Sequence, residues 1–270
     1  MRRLLAPLRT LLTCVVGVAS TLFFAPLVIV LAHLRPTTPL IERCARAWSR
    51  AWLWAAGCTL EVTGAKQVDR SRSHVVVANH LSVLDIMVCF LAVPLPIRFL
   101  AKKELFSVPL LASAMRSIGI VEVDRAAGSA VHEQVNRQAE ELVASGRSLI
   151  IYPEGTRSRN GDLRPFKKGA FTMAIAGEIP VLPVTIIGTY EAWPPGKLWV
   201  YGGELKAFVD PPIETAGMVR DDTGRLAEEV REVIASRLQS VSPPEGGRNG
   251  AVGSPPEGGR NGAVGRGAFS

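Results

Sequence analysis

At 270 residues and 29.0 kDa the chain suits one sizeable domain with appendages, and its 47% hydrophobic content with mean hydropathy +0.21 exceeds what an ordinary soluble protein needs. Most of its net charge of +7 lies in the first fifty residues, which hold seven Arg and one Glu. A basic excess flanking an apolar run points to anionic lipid headgroups and away from a nucleic-acid binder, which spreads Lys and Arg over a folded face.

From Thr10 to Leu34 the chain carries no Asp, Glu, Lys or Arg. As one helix these residues extend ~37 Å at 1.5 Å each, enough for a hydrocarbon core of ~30 Å. Arg2 and Arg3 resemble the basic start of a signal peptide, but the apolar run is too long and no small-residue cleavage site follows it. Arginines on both flanks leave the orientation balanced, and Pro26 is placed to kink the run or turn it into a re-entrant hairpin. Residues 44–58, CARAWSRAWLWAAGC, set Trp48, Trp52 and Trp54 beside Arg43, Arg46 and Arg50. That composition fits a helix lying in the headgroup layer, with a tryptophan-rich core helix as the alternative. Residues 1–58 therefore form a candidate set of membrane-embedded and interfacial helices.

From Leu60 the texture becomes α/β. Short apolar runs (LEVTG, HVVVAN, IRFLA, IVEV, SLIIYP, VLPVTIIG) alternate with helical stretches such as residues 129–145, which predicts a largely buried sheet with helices on its faces. Residues 222–241 close this domain, 59–241, as an amphipathic helix with Leu226, Val230, Val233, Ile234 and Leu238 on one side. Residues 242–270 contain SPPEGGRNGAVG twice without change, and a Gly/Pro-rich segment with so few apolar residues is expected to be disordered. The cysteines (Cys14, Cys44, Cys58, Cys89) show neither close pairing nor metal-type spacing and read as reduced, mostly buried thiols facing the cytosol.

Of the four histidines, His33 and His74 have no acidic partner nearby in sequence. His132 precedes EQVN, which lacks the second His of a zinc-binding helix. His80 is followed by Asp85, just over one turn away if residues 81–93 are helical. The carboxylate then orients the imidazole and stabilises the cation formed when His80 accepts a proton. A lone His and Asp at this spacing also arise as structural polar groups. Three further clusters carry positive charge after strand-like runs, where α/β folds gather ligand groups. These are Lys102 and Lys103, then Arg125 after Asp124, and the loop EGTRSRNGDLRPFKKGAF with Arg157, Lys167 and Lys168. Together they suggest an anionic substrate held by charge-assisted hydrogen bonds.

The order N-H-x4-D, G-x5-R, E-G-T-R-S and V-L-P-V, over roughly residues 60–215, resembles the glycerolipid acyltransferase family. Its bacterial 1-acylglycerol-3-phosphate acyltransferases are the nearest likeness. The resemblance implies a mixed sheet flanked by helices, with His80 as general base and Asp85 as its partner. It assigns Lys102, Arg125 and Arg157 to the acceptor phosphate, and Glu154, Gly155 and Thr156 to the same loop. Pro183 falls in the motif linked to the acyl donor. The implied reaction moves an acyl chain from acyl-CoA or acyl-carrier protein to the sn-2 hydroxyl of a lysophospholipid. Neither metal nor further cofactor is implied, nor is nucleic acid a partner; the place is the inner membrane, with the catalytic domain towards the cytoplasm. Glu122 departs from the family, which commonly has an aromatic residue there, and would place negative charge near the phosphate if it faced the site. Another lysolipid acceptor, such as lyso-ornithine lipid, is the alternative reading. A non-catalytic lipid binder has no need of His80 and Asp85, and a serine hydrolase needs a G-x-S-x-G elbow that the chain lacks.

Overall fold

The computed structural model describes residues 4–123, 137, 141 and 143–241. Most of the predicted 129–145 helix, His132, Asp124, Arg125 and the 242–270 repeat lie outside the described residues.

Helix α1, Ala6–Leu34, runs unbroken through Pro26. There is no re-entrant hairpin. Its residues sort by size: Ala6, Thr10, Thr13, Gly17, Ala25, Val28 and Ala32 are buried, while Leu8, Leu11, Val15, Val18, Leu22, Phe23 and Val30 stand exposed. Small residues let a second helix approach closely. A Cβ on Gly17 would come within 2.4 Å of the Trp52 ring. That ring belongs to α2, Pro39–Ala55, whose first turn is capped by the Thr38 hydroxyl accepting from Leu40 N–H at 3.4 Å. Trp48 and Trp52 turn inward to the core, and the Trp48 indole donates to Thr21 of α1 at 3.0 Å. Trp54 points out, 68% exposed. Along its far half, α1 packs Val28 and Ala32 against Ile41 and Cys44 of α2 and Ile118 of α4, Pro109–Ile118. The helix is long and apolar enough to cross a membrane, yet it carries one packed face from end to end.

Seven strands form one sheet in the order β1-β7-β6-β2-β5-β3-β4. They are β1 Cys58–Thr63, β2 Val75–Ala78, β3 Ile97–Lys102, β4 Val121–Val123, β5 Ser148–Ile151, β6 Val181–Ile187 and β7 Gly203–Val209. All neighbouring pairs are parallel except β6 with β7. The mixed α/β sheet thus matches the expected class. Strand β7, GELKAFV, was not among the predicted runs, because Glu204 and Lys206 alternate with its buried residues and lower its apolar signal.

Alternation along β2 builds the two layers. Val76 and Ala78 face α3, Leu84–Ala92, together with Leu53 of α2 and Ala56 just past its end. Val75 and Val77 face Phe171 and Ala174 of α5, Gly169–Ala176, and Leu226, Val230 and Ile234 of α7, Thr223–Val241. From β2 the chain leaves through α3 towards β3, whereas from its neighbour β5 it leaves through α5 towards β6 on the opposite side. The strand order therefore reverses between β2 and β5, and the crevice at their C-terminal ends is where open α/β sheets place ligands.

Candidate active site

The turn after β2 and the loop after β5 meet at this crevice. Asn79 ends β2 by acting as a further strand residue: its side-chain nitrogen donates to the Ile186 carbonyl at 2.8 Å, and its oxygen accepts from Ile186 N–H at 2.8 Å. This extends the β2–β6 pairing, which ends in register at Ala78 and Val184. His80 leaves the sheet from a fixed point.

Asp85 is fully buried in the first turn of α3, which starts at Leu84 and not at 81 as the spacing had predicted. Its Oδ2 accepts from His80 Nδ1 at 2.8 Å and from the Leu81 and Ser82 amides at 2.6 and 2.7 Å. Its Oδ1 accepts from the Thr189 hydroxyl at 2.6 Å. A carboxylate that only accepts requires the proton on Nδ1, so the Nε2 lone pair of neutral His80 is left for chemistry. Four donors on a buried carboxylate satisfy the cost of burying it. The distance between the His and Asp is thus set by tight turn geometry and not by helical periodicity.

Below the imidazole lies Tyr152, whose ring stacks on it at 4.0 Å between centroids and 12° between planes. The phenol approaches Cys89 Sγ at 3.6 Å, and burial raises both groups: Cys89 to about 12, Tyr152 well above its ordinary value. Cys89 is a buried thiol, as expected, and lies on the underside of the site against Tyr152. All four cysteines are free, and Cys14 is exposed on α1.

The Glu154 carboxylate staples the β5 loop to the β2 turn. It accepts from the His80 amide at 2.7 Å and the Arg164 amide at 3.1 Å, while Ser158 N–H donates to the His80 carbonyl at 3.0 Å. Burial pushes the Glu154 carboxyl above its usual range; the His80 and Arg164 amides oppose that shift, and the nearby Asp85 adds to it. Gly155 adopts φ of 72°, and a Cβ there would lie 2.8 Å from Lys167 Nζ, so glycine lets the lysine cross over the loop. Thr156 and Arg157 are exposed.

Lys102 ends β3 on the same edge of the sheet, its ammonium 2.9 Å from Glu104. Arg125 lies outside the described residues. Pro183 is buried within β6, paired in register with Val77, two residues before Asn79. Glu122 is exposed and pairs with Arg116 of α4 at 3.2 Å, so its charge is spent on a surface ion pair. Sequence alone missed Thr189, Tyr152 and the bracing function of Asn79. Thr189 follows Gly188, whose φ of 89° breaks the strand, but nothing in the string marks a contact with a residue 104 positions earlier.

Comparison with known proteins bears on this geometry. Residues 59–187 match the family model described as Acyltransferase. A 1-acyl-sn-glycerol-3-phosphate acyltransferase of Brassica napus (BAT2, chloroplastic) is 31% identical over 249 residues, which cover 89% of this chain and 70% of the relative. The chain belongs to the acyltransferase family. A bacterial relative, the 1-acyl-sn-glycerol-3-phosphate acyltransferase of Borreliella burgdorferi, is 29% identical over 197 residues, or 73% of this chain and 78% of that one. The crystal structure of the 1-acyl-sn-glycerophosphate (LPA) acyltransferase from Thermotoga maritima is similar with a TM-score of 0.77, at 26% identity, covering 89% of this chain and 98% of that chain. The matched family segment holds β1 to β6, and with them both loops of the crevice and all nine candidate residues.

Proposed function

We propose that this acyltransferase moves an acyl chain from acyl-CoA or acyl-carrier protein to the sn-2 hydroxyl of 1-acylglycerol-3-phosphate, giving phosphatidic acid for phospholipid synthesis. The observation that carries the chemistry is the His80–Asp85 contact at 2.8 Å, with Asp85 held by three further donors. A lysolipid hydroxyl, with a pKa far above 7, is a poor nucleophile until a base takes its proton as attack begins. His80 Nε2 takes that proton while the oxygen adds to the thioester carbonyl carbon. The tetrahedral adduct collapses, the C–S bond breaks, and His80 returns the proton to the departing thiolate. Asp85 stabilises the imidazolium throughout, and the ring of Tyr152 lies against the same cation.

Arg157, on the loop held by Glu154, is assigned to the acceptor phosphate together with Lys102 and Arg125. Gly155 and Thr156 shape that loop, and Pro183 contributes to the acyl-donor region only through the strand that carries it. No cofactor beyond the acyl donor is invoked.

The protein is assigned to the cytoplasmic face of the inner membrane. A helix packed along its length on the domain lies in the bilayer surface beside that domain, so α1 contributes its Leu/Val/Phe face to lipid without crossing. Purified protein assayed with lysophosphatidic acid and each donor tests the reaction. His80→Ala is expected to lose at least ~10²-fold of the rate. Retention of more than about a tenth would remove His80 from the role of base.

A further inference from the structure

The loop between α6, Thr189–Ala192, and β7 joins the candidate catalytic turn to the start of α1. At its near end the Ser82 hydroxyl, three residues after Asn79, donates to the Trp193 carbonyl at 2.8 Å. At its far end Val200 N–H donates to the Thr10 hydroxyl of α1 at 2.9 Å, and the Arg9 guanidinium donates to the Tyr201 carbonyl. Tyr201 N–H returns to the Ala192 carbonyl at 2.8 Å, closing the loop at its base.

Between these ties the backbone is also fixed. Lys197 N–H donates to the Pro194 carbonyl at 3.2 Å, across a turn with Pro195 second and Gly196 at φ of 74° third. That is the residue placement a type II turn requires, with proline pre-setting one dihedral and glycine supplying positive φ. The Trp193 indole donates to the Lys197 carbonyl at 3.1 Å. A rigid loop tied at both ends still turns two large apolar side chains outward: Leu198 is 67% exposed and Trp199 41%, whereas Val200 is buried.

Single exposed apolar residues are ordinary, but position distinguishes this pair. Leu198 and Trp199 lie two residues and one residue from the Val200 amide that bonds α1, so their backbone is within ~8 Å of it by chain geometry. Exposed apolar residues of α1, Leu8 and Leu11, stand within two positions of Thr10, the α1 residue that this amide bonds. An exposed lysine, Lys197, adjoins them. A tryptophan, a leucine and a cation side by side suit the boundary between headgroups and acyl chains, where an amphipathic ring and a snorkelling amine are both satisfied.

We propose that the loop 193–201 is a second lipid-contact element, which inserts Leu198 and Trp199 into an anionic bilayer surface and so seats the His80–Asp85 turn at the membrane. The proposal rests on the reading of α1 as a helix lying in the bilayer surface. Its consequence is that the turn is positioned from two sides, through α1 and through the loop, where amphiphilic substrates reside.

The test uses the full chain purified in detergent and mixed with vesicles of phosphatidylethanolamine and phosphatidylglycerol in equal parts. Co-sedimentation is measured for wild type, Leu198→Asp with Trp199→Asp, Leu198→Gln with Trp199→Gln, and Phe23→Glu on α1. Both loop variants are expected to weaken vesicle partition about tenfold or more with unchanged melting temperature, because exposed side chains are replaced and no core contact is lost. The neutral pair separates loss of apolar insertion from added repulsion. If wild type and Phe23→Glu differ in the expected direction but both loop variants partition like wild type, the loop proposal falls and α1 alone holds the membrane. If wild type itself does not partition, the reading of α1 falls with it. Unchanged partition with a raised KM for an acyl-carrier-protein donor would make the loop a protein-docking surface and would also overturn the proposal.

Discussion

Asp85→Asn isolates the electrostatic part of the candidate mechanism, because the structure predicts that it keeps the hydrogen bonds. Oδ2 accepts three of the four bonds and Oδ1 accepts one, from a hydroxyl. An asparagine with its oxygen at the Oδ2 place still accepts from His80 Nδ1 and the Leu81 and Ser82 amides. Its NH2 group then faces the Thr189 hydroxyl, which can turn to accept. The tautomer of His80 is preserved, and only the negative charge is lost. With the imidazolium and carboxylate in contact at 2.8 Å, a charge separation near 4 Å at an effective dielectric of 20 is worth ~4 kcal/mol. Partial compensation by the remaining amide dipole leaves ~3 kcal/mol, so kcat should fall ~10²-fold or somewhat more. Asp85→Ala has a second consequence. It strands the buried Leu81 and Ser82 amides and the Thr189 hydroxyl, each at ~1–3 kcal/mol, so its melting temperature should drop by several degrees while that of Asp85→Asn changes little. Steady-state thiol release with purified variants, paired with thermal melting, measures both effects. Asp85→Asn with more than about a tenth of wild-type kcat would refute the claim that the carboxylate charge stabilises the imidazolium. An unchanged melting temperature in Asp85→Ala would refute the claim that it satisfies the turn.

Three more outcomes follow from the same geometry. Tyr152→Phe keeps the ring stacked on His80 and should remain near wild type, whereas Tyr152→Leu should lower kcat by ~3- to 30-fold, the worth of a cation held over an aromatic face at ~0.5–2 kcal/mol; equal rates would assign the ring to packing alone. Arg157→Ala should raise KM for lysophosphatidic acid by ten- to a hundredfold, at ~1.5–3 kcal/mol per charge-assisted bond. Arg157→Lys should also fail because it lacks the planar fork. The same losses on an acceptor without a phosphomonoester would show that Arg157 does not read the phosphate. His74, fully buried with both ring nitrogens unpartnered among the described residues, has its pKa lowered from 6.5 by burial and then by Arg72. The folded state therefore resists the proton that the unfolded chain binds, so stability present above pH 6.5 is lost as pH falls below it, by up to ~1.4 kcal/mol per pH unit. Melting curves between about pH 7.5 and about pH 5.5 should show this slope, and His74→Leu should reduce it. A wild-type slope equal to that of His74→Leu would exclude the buried histidine as its source.

By itself the amino-acid sequence determined the α/β texture, because each β2-like run carries its apolar residues in an unbroken string that only a sheet covered on both faces can bury. It also determined the pairing of His80 with Asp85, because both lie in one short turn where local chain geometry limits their separation. The apolar length of α1 was legible for the same local reason. Tertiary structure alone decided the rest. Thr189 reaches Asp85 from 104 residues away, and Glu154 bonds the amide of His80 from 74 residues away. Both contacts exist only because β6 and β5 flank β2 in the sheet, an order set by which long-range pairings bury the most surface. The partner of a strand side chain is likewise fixed by its neighbours: Glu122 of β4 pairs with Arg116 of α4, and Pro183 sits within β6 in register with Val77. Which face of α1 is packed depended on the small-residue stripe finding Trp52, Ile41 and Ile118. Hydropathy measures only what a helix avoids. The partner that covers its other face is a property of the fold.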